Sequence, residues 1–347
     1  MQVSLLVPAP FDTISGGYSY DRRMVEGLRA LGHAVQVVEL AGRHPHPDAL
    51  AQESARAALA AVPDEARIVI DGLGLPAFAP LIDALEARRA IGLIHHPTAL
   101  EHGNASEVRD ALRAAEAAIF PRLARLIATS PLTARRLAPE FGADPARIGV
   151  VEPGTDAAPR SAGSGGPGCA ILAIGTLLPR KGHDVLLRAL GTLPDLEWTL
   201  TIAGAPRDRV HADGLLALRE ELGLIARVTF AGEVMDSALE LLWQRCDLFA
   251  LATHWEGYGM AAAEALAHGV PVAITAGGAI AEVVPIGAGV ISPPGDVASL
   301  GRGLRRAIFD TGLRAQMADA AWQAGQRLPR WHDRAASFAQ ELDKALA

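Results

Sequence analysis

Two cysteines, Cys169 and Cys246, are too few and too far apart in 347 residues to form a disulfide framework or a zinc site, which points to a reducing compartment. No apolar run approaches the ~20 residues of a membrane span. The N-terminus, MQVSLLVPAP, lacks a basic leader region and reads as a first strand, not a signal peptide. A net charge of -7 lacks the basic excess of a nucleic-acid surface. No long polar stretch suggests disorder either, since 50% of the chain is apolar. The expected place is the cytoplasm, with the inner face of the membrane as the surface it would meet if it meets one.

The chain alternates short apolar runs with helical patterns. Val3–Val7 reads as a strand, Asp12–Tyr20 as a loop holding Gly16 and Gly17, and Ser19–Leu31 as a helix with Met24, Leu28 and Leu31 on one stripe. Strands follow at 35–40, 68–71, 91–94 and 126–129, the order of a parallel, doubly wound α/β sheet. Ala157–Gly168, AAPRSAGSGGPG, has linker composition, and beyond it the alternation restarts, with strands at 170–174, 198–203, 228–231 and 248–251. The predicted domains are 1–160 and 161–327, with 328–347 as a final helix and a helical tail beginning near Leu300.

In such sheets ligands bind beyond the carboxyl ends of the strands. Five stretches stand there. The Gly16-Gly17 loop follows the first strand, and is either a ligand loop or a plain flexible turn. His95 and His96 follow the 91–94 strand, as site residues or as satisfied ones. GTLLPRKG carries Arg180 and Lys181, which would neutralise a diphosphate or sit solvated in a turn; without Ser or Thr after Lys181 it is no Walker A loop. GLGLPA, from Gly72, matches a dinucleotide fingerprint but lacks the acid that should follow, and Pro76 more simply opens a helix.

The fifth stretch, THWEGYGMAAAEALAHGVPVAIT from Thr253 to Thr275, reads as loop, helix and strand. A helix starting near Gly259 would direct its free N–H groups at an anion. Glu256 and Glu264 are suited to sugar hydroxyls. Their alternative roles are a helix cap and a solvated surface residue.

Together these segments resemble the retaining GT-B glycosyltransferases, specifically glycosyltransferase family four. The resemblance is carried by SGGYSYDRRMVEGLRALGHAVQVV, IHHP, VVEPGTD, AIGTLLPRKGHDVLLRAL, FAGEV and EGYGMAAAEALAHGVPVAI, which together span nearly the whole chain. It implies two Rossmann-like domains with a cleft between them and a C-terminal helix crossing back to the first. The reaction implied is transfer of a sugar, with retention, from a UDP- or GDP-linked donor to a hydroxyl of a glycan, lipid-linked or small-molecule acceptor.

Carried across by residue, the resemblance gives Arg180 and Lys181 the donor's diphosphate, Glu264 the ribose, and Glu256 and His95 the donor sugar, with His96 the alternative one register away. The amides of Tyr258, Gly259 and Met260 would hold sugar and phosphate, Val234 would meet the base through its backbone, and Gly16-Gly17 would approach the diphosphate. Thr176 stands where many members carry Arg, and Ala252-Thr253 where Pro-Ser is usual. No cofactor and no metal are expected, because no Asp-x-Asp pair ends a strand and the cations would do a metal's work. No carboxylate is identifiable as a nucleophile, so front-face attack is expected, the donor phosphate taking the acceptor's proton.

A GT-B epimerase or phosphorylase, and a non-enzymatic two-lobed binding protein, are the alternative readings. Arg109, Arg113, Arg122, Arg125, Arg135 and Arg136, interleaved with apolar residues, read either as an anionic-lipid surface or, by preference, as an ordinary amphipathic helix pair.

Overall fold

The structure is a computed structural model that describes residues 1–101 and 105–345. The chain divides into two compact units, Met1–Gly154 with Pro329–Ala347, and Thr155–Leu328. The first holds six parallel strands, β1 (Gln2–Pro8), β2 (Ala34–Leu40), β3 (Arg67–Asp71), β4 (Ile91–Ile94), β5 (Arg125–Ala128) and β6 (Ile148–Val150), in the order β2-β1-β3-β4-β5-β6. All strands run the same way, but the order in which they are added reverses between β1 and β3, since β2 lies on one side of β1 and β3 on the other. The carboxyl ends of those strands flank the switch point where doubly wound sheets bind ligands.

Continuous apolar runs in the central strands reflect burial on both faces. Alternate residues point to opposite layers: Ile68, Ile70, Ile94 and Leu126 pack with Phe78, Leu85 and Leu112, whereas Val69, Ile91, Leu93 and Ile127 pack with Tyr20, Met24, Phe338 and Leu342. The last two belong to the helix Trp331–Lys344, so the C-terminus is part of the first unit's core. That helix crosses the helix Gly16–Ala30 closely, because Gly27 has no side chain and a Cβ there would overlap Ala335. Arg125 and Glu341 form a buried ion pair beneath it, and the Arg89 guanidinium donates to the Ala345 carbonyl at 2.6 and 3.0 Å.

The second unit repeats the plan with β7 (Cys169–Ile174), β8 (Trp198–Ala203), β9 (Val228–Gly232), β10 (Leu248–Leu251), β11 (Val272–Thr275) and β12 (Gly289–Ser292), ordered β12-β11-β10-β7-β8-β9. Its switch point lies between β7 and β10, the two strands that precede the Arg-Lys turn and the Glu256 loop. Both cysteines are buried free thiols.

Three local expectations differ from the structure. The helix expected from Ser19 starts at Gly16, because Ser15 takes the extended N-cap conformation and the chain turns at once, so Gly16 and Gly17 are helical. The tail is three helices, Val297–Phe309, Thr311–Gly325 and Trp331–Lys344; the last two residues of the expected span lie outside the described residues. The Gly/Ser/Pro-rich stretch after Ala157 is tied along the second unit: Ser161 N–H donates to the His268 carbonyl at 2.8 Å, the Ser161 hydroxyl lies 3.1 and 3.0 Å from the Gln244 and Cys246 carbonyls, and Arg160 pairs with Asp319 at 2.5 Å.

Among the described residues, no helix is long and apolar enough to cross a membrane. Of the arginines considered for a lipid surface, Arg113 and Arg136 pair with Glu140, Arg122 with Asp83 and Glu86, and Arg125 with Glu341.

Candidate active site

In the second unit, the chain leaves β7 through Gly175 and Thr176 and makes one tight turn, Pro179–Lys181, before the helix His183–Gly191. Gly182 closes that turn with φ +61°, and a side chain there would collide with the Ala252 carbonyl at the end of β10. This close approach brings the Arg-Lys turn against the loop after β10. His254 N–H donates to the Arg180 carbonyl at 2.7 Å, and the Thr253 hydroxyl lies 3.0 Å from that carbonyl and 3.2 Å from Glu256 Oε1.

Glu256 is where the turn and the loop meet. Lys181 Nζ lies 2.6 Å from Glu256 Oε1 and Arg180 Nη1 3.7 Å from it, and the side chains of Lys181 and Glu256 are each only 12% exposed. Burial pushes the Glu256 carboxyl up, but the charges of Lys181 and Arg180 outweigh it and leave the group below its ordinary value. Burial also draws Lys181 down, with Glu256 opposing. The glycine pair after β11 clasps the same loop: Glu256 N–H donates to the Gly277 carbonyl at 3.0 Å, and Ala279 N–H to the Glu256 carbonyl at 2.9 Å.

The loop ends at Gly259, φ +111°, where a Cβ would strike Ile280, and the helix Met260–Ala267 begins. Its internal bonding starts with the Ala262 and Ala263 N–H groups, which donate to the Gly259 carbonyl at 3.0 and 3.1 Å, and the N–H groups before them stand at the positive end of its dipole. Tyr258 is buried, while Met260 and Glu264, one turn further on, are half-buried. Val234 is half-buried just past β9, and Thr176 half-buried just past β7.

His183 is a site neighbour that the sequence reading passed over, although it sits inside the quoted PRKGHD segment. It is fully buried, its Nε2 lies 3.2 Å from the Gly175 carbonyl, and burial followed by the Lys181 charge lowers it to about 4. The ring is therefore neutral near pH 7, and Nε2–H donates to the turn that carries the cations.

In the first unit, His95 stands one residue beyond β4, with Gly17 against its ring and His96, half-buried, beside it. Gly16 is exposed. Two partners of His95 were not foreseen. Asp21, from the helix Gly16–Ala30, places Oδ1 3.0 Å from His95 Nε2, and Asp71, the last residue of β3, places Oδ2 3.3 Å away. These three residues are spaced closely enough to admit a metal ion, but both contacts are hydrogen-bond distances to a single nitrogen, which a proton satisfies.

Residues 158–324, just under half of the chain, match the family described as Glycosyl transferases group 1. The D-inositol 3-phosphate glycosyltransferase of Mycobacterium sp. (strain KMS) is 38% identical over 168 residues, covering 45% of this chain and 38% of that protein. The chain thus spans under two fifths of the length of that curated relative. Among solved structures, sucrose-phosphate synthase from Thermosynechococcus elongatus superposes with a TM-score of 0.82 at 20% identity, covering 98% of both chains. Anabaena HepE in complex with UDP-glucose superposes with a TM-score of 0.76 at 19% identity, covering 99% of each. The two doubly wound units therefore follow the GT-B plan. More particularly, the likeness to the glycosyl transferases group 1 family lies over residues 158–324, within the second unit.

Proposed function

We propose that the protein is a retaining glycosyltransferase that moves a sugar from a nucleotide-sugar donor to a hydroxyl acceptor. The observation that carries this is the meeting of Arg180, Lys181 and Glu256 at the second unit's switch point, just ahead of the Met260–Ala267 helix, in the part of the chain that matches the glycosyl transferases group 1 family.

The electrostatic task of the reaction is to stabilise the departing diphosphate. Arg180 offers a planar fork of donors, Lys181 a compact charge, and the helix start a set of aligned N–H groups. In this reading the amides of Tyr258, Gly259 and Met260 hold sugar and phosphate, Glu264 accepts from the ribose hydroxyls, and the backbone at Val234 meets the base. Thr176 leaves a gap in charge that Arg180 fills. His183 keeps the turn in place by its bond to the Gly175 carbonyl. In the first unit, Gly17 gives close access to the backbone and His95 serves the donor sugar.

Glu256 is assigned a different emphasis from a sugar contact alone. It shares Lys181 with the incoming phosphates, so it keeps a buried cation solvated by protein until the donor arrives. Front-face transfer follows, with the donor phosphate accepting the acceptor's proton. A UDP-linked donor is favoured by the likeness to a fold neighbour bound to UDP-glucose. No cofactor enters this scheme, and the two cations take the charge-stabilising role.

The test is release of free nucleoside diphosphate from UDP-, GDP-, ADP- and dTDP-sugars, measured with and without an acceptor and with and without chelator. The reading expects one nucleotide class to be consumed, faster with a hydroxyl acceptor and unaffected by chelator, with the anomeric configuration of the product matching the donor by NMR. An inverted product would refute retention, and consumption of none would refute transfer.

A further inference from the structure

We propose that Asp21 is a positioning residue: together with Asp71 it holds the His95 ring as an imidazolium, making His95 a fixed hydrogen-bond donor at the first unit's switch point, not a base.

Asp21, Asp71 and His95 come from three different elements, the helix after β1, the end of β3 and the residue after β4, and their side chains are 1%, 3% and 18% exposed. Both carboxylates address the same ring nitrogen, Nε2, at 3.0 and 3.3 Å. An acceptor nitrogen facing two carboxylate oxygens would leave lone pairs opposed in a buried place, so Nε2 carries the proton. Two buried carboxylates so near each other also need a cation between them, and a neutral ring is not one. The imidazolium satisfies both demands and leaves its other N–H, at Nδ1, as a donor.

The groups around the cluster agree. The Leu73 N–H donates to Asp71 Oδ1 at 2.8 Å, occupying that carboxylate's other oxygen. The Arg22 guanidinium, which donates to the Phe11 and Thr13 carbonyls, acts on Asp21 as a further positive charge. The Tyr20 ring meets His95 edge-on, 5.3 Å between centroids, and burial followed by the Asp21 charge keeps its hydroxyl un-ionised, with Arg334 opposing. His44 is lowered by burial, with a hydrogen bond to the Ala41 carbonyl and the Asp71 charge opposing. Burial works against charge on His95, but Asp21 and then Asp71 outweigh it and carry the ring up to about 10. Burial pushes Asp21 up to about 6, with His95 opposing, so Asp21 is predominantly ionised at pH 7.

The consequence for transfer rests on the glycosyltransferase reading. An imidazolium has no lone pair with which to accept the acceptor's proton. His95 then donates from Nδ1 to a hydroxyl or phosphate oxygen, and the proton leaves by another group, which is the role given above to the donor phosphate.

The experiment is an NMR pH titration of protein carrying histidine labelled at ring Cε1, for the full chain and for Asp21→Asn, with His95→Gln to assign the resonance. The expected result is a wild-type His95 signal that stays protonated from about pH 6 to about pH 9, and a midpoint lowered by about one unit or more in Asp21→Asn while the other histidines keep theirs. A neutral His95 at pH 7 in the wild type, or an unmoved midpoint in folded Asp21→Asn, would overturn the proposal, as would a stoichiometric shift of this resonance on adding Zn²⁺. If Asp21→Asn does not fold, Asp71→Asn carries the same expectation, and the wild-type titration decides the charge state by itself. Thermal stabilisation of the wild type by nucleotide is measured separately, so failure of the transfer reading is distinguishable from failure of the charge assignment.

Discussion

Lys181 Nζ lies 2.6 Å from Glu256 Oε1, so the cation proposed for the diphosphate is held by a carboxylate from the loop after the neighbouring strand. The two groups are nearly buried, and each makes the other tolerable there. A phosphate arriving at Lys181 replaces part of what Glu256 supplies.

Lys181→Ala therefore has two separable effects. Turnover should fall by about a hundredfold or more, as when a preorganised charge is removed from a transition state. Stability should fall as well, by up to about 3–5 kcal/mol, because Glu256 is left buried with Arg180 3.7 Å away as its remaining cation. The double variant Lys181→Ala/Glu256→Gln should regain most of the stability and none of the turnover. Urea unfolding and initial rates measure the two effects independently.

The acid limb of stability should depend on Glu256. Its folded carboxyl is held below its ordinary value by Lys181 and Arg180 against the cost of burial, so its contribution is full above the unfolded carboxylate value and is lost as pH falls through the folded one. Between about pH 6 and pH 3 the wild type should lose more stability than Glu256→Gln, measured by urea unfolding at each pH. Parallel losses in the two proteins would show that Glu256 is not stabilised in its charged form.

The C-terminal helix should be indispensable to the first unit. Gly27→Val places a branched side chain where a Cβ already overlaps Ala335, and should cost about 1–3 kcal/mol or more. Glu341→Gln leaves Arg125 buried without its ion partner and should cost about 3–5 kcal/mol. Truncation before Leu328 removes Phe338, Leu342 and Glu341 together and should abolish cooperative unfolding of the first unit, read by hydrogen exchange in β1, β3 and β4. A native exchange pattern in the truncated chain would contradict the packing described.

The fold was legible because buried parallel strands are written as short continuous apolar runs, such as IGLI from Ile91 and LFAL from Leu248, with turn residues between them. Boundaries were harder to read. Glycine's low helix propensity hid the start at Gly16, where Ser15's extended conformation decides the matter. The stretch after Ala157 looked like a linker, since composition does not reveal that Ser161 is bonded to three carbonyls of its own unit.

The site was legible where its residues are neighbours in sequence, as Arg180 and Lys181 are. It was not legible where the sheet assembles it. Asp21, Asp71 and His95 meet only because β3 lies between β1 and β4, an order that alternation alone does not specify. Glu256 could be read as a carboxylate in a ligand loop, but its bond to Lys181 depends on Gly182 letting one strand-end loop lie against another.

The central claim, a nucleotide-sugar site built on Arg180 and Lys181, is tested most directly by thermal unfolding of the intact chain with UDP, GDP, ADP and dTDP, alone and in Lys181→Ala/Glu256→Gln. One nucleoside diphosphate should raise the Tm of the wild type, and the double variant should lose this stabilisation while remaining folded. No stabilisation by any of the four, or equal stabilisation of the double variant, would contradict it.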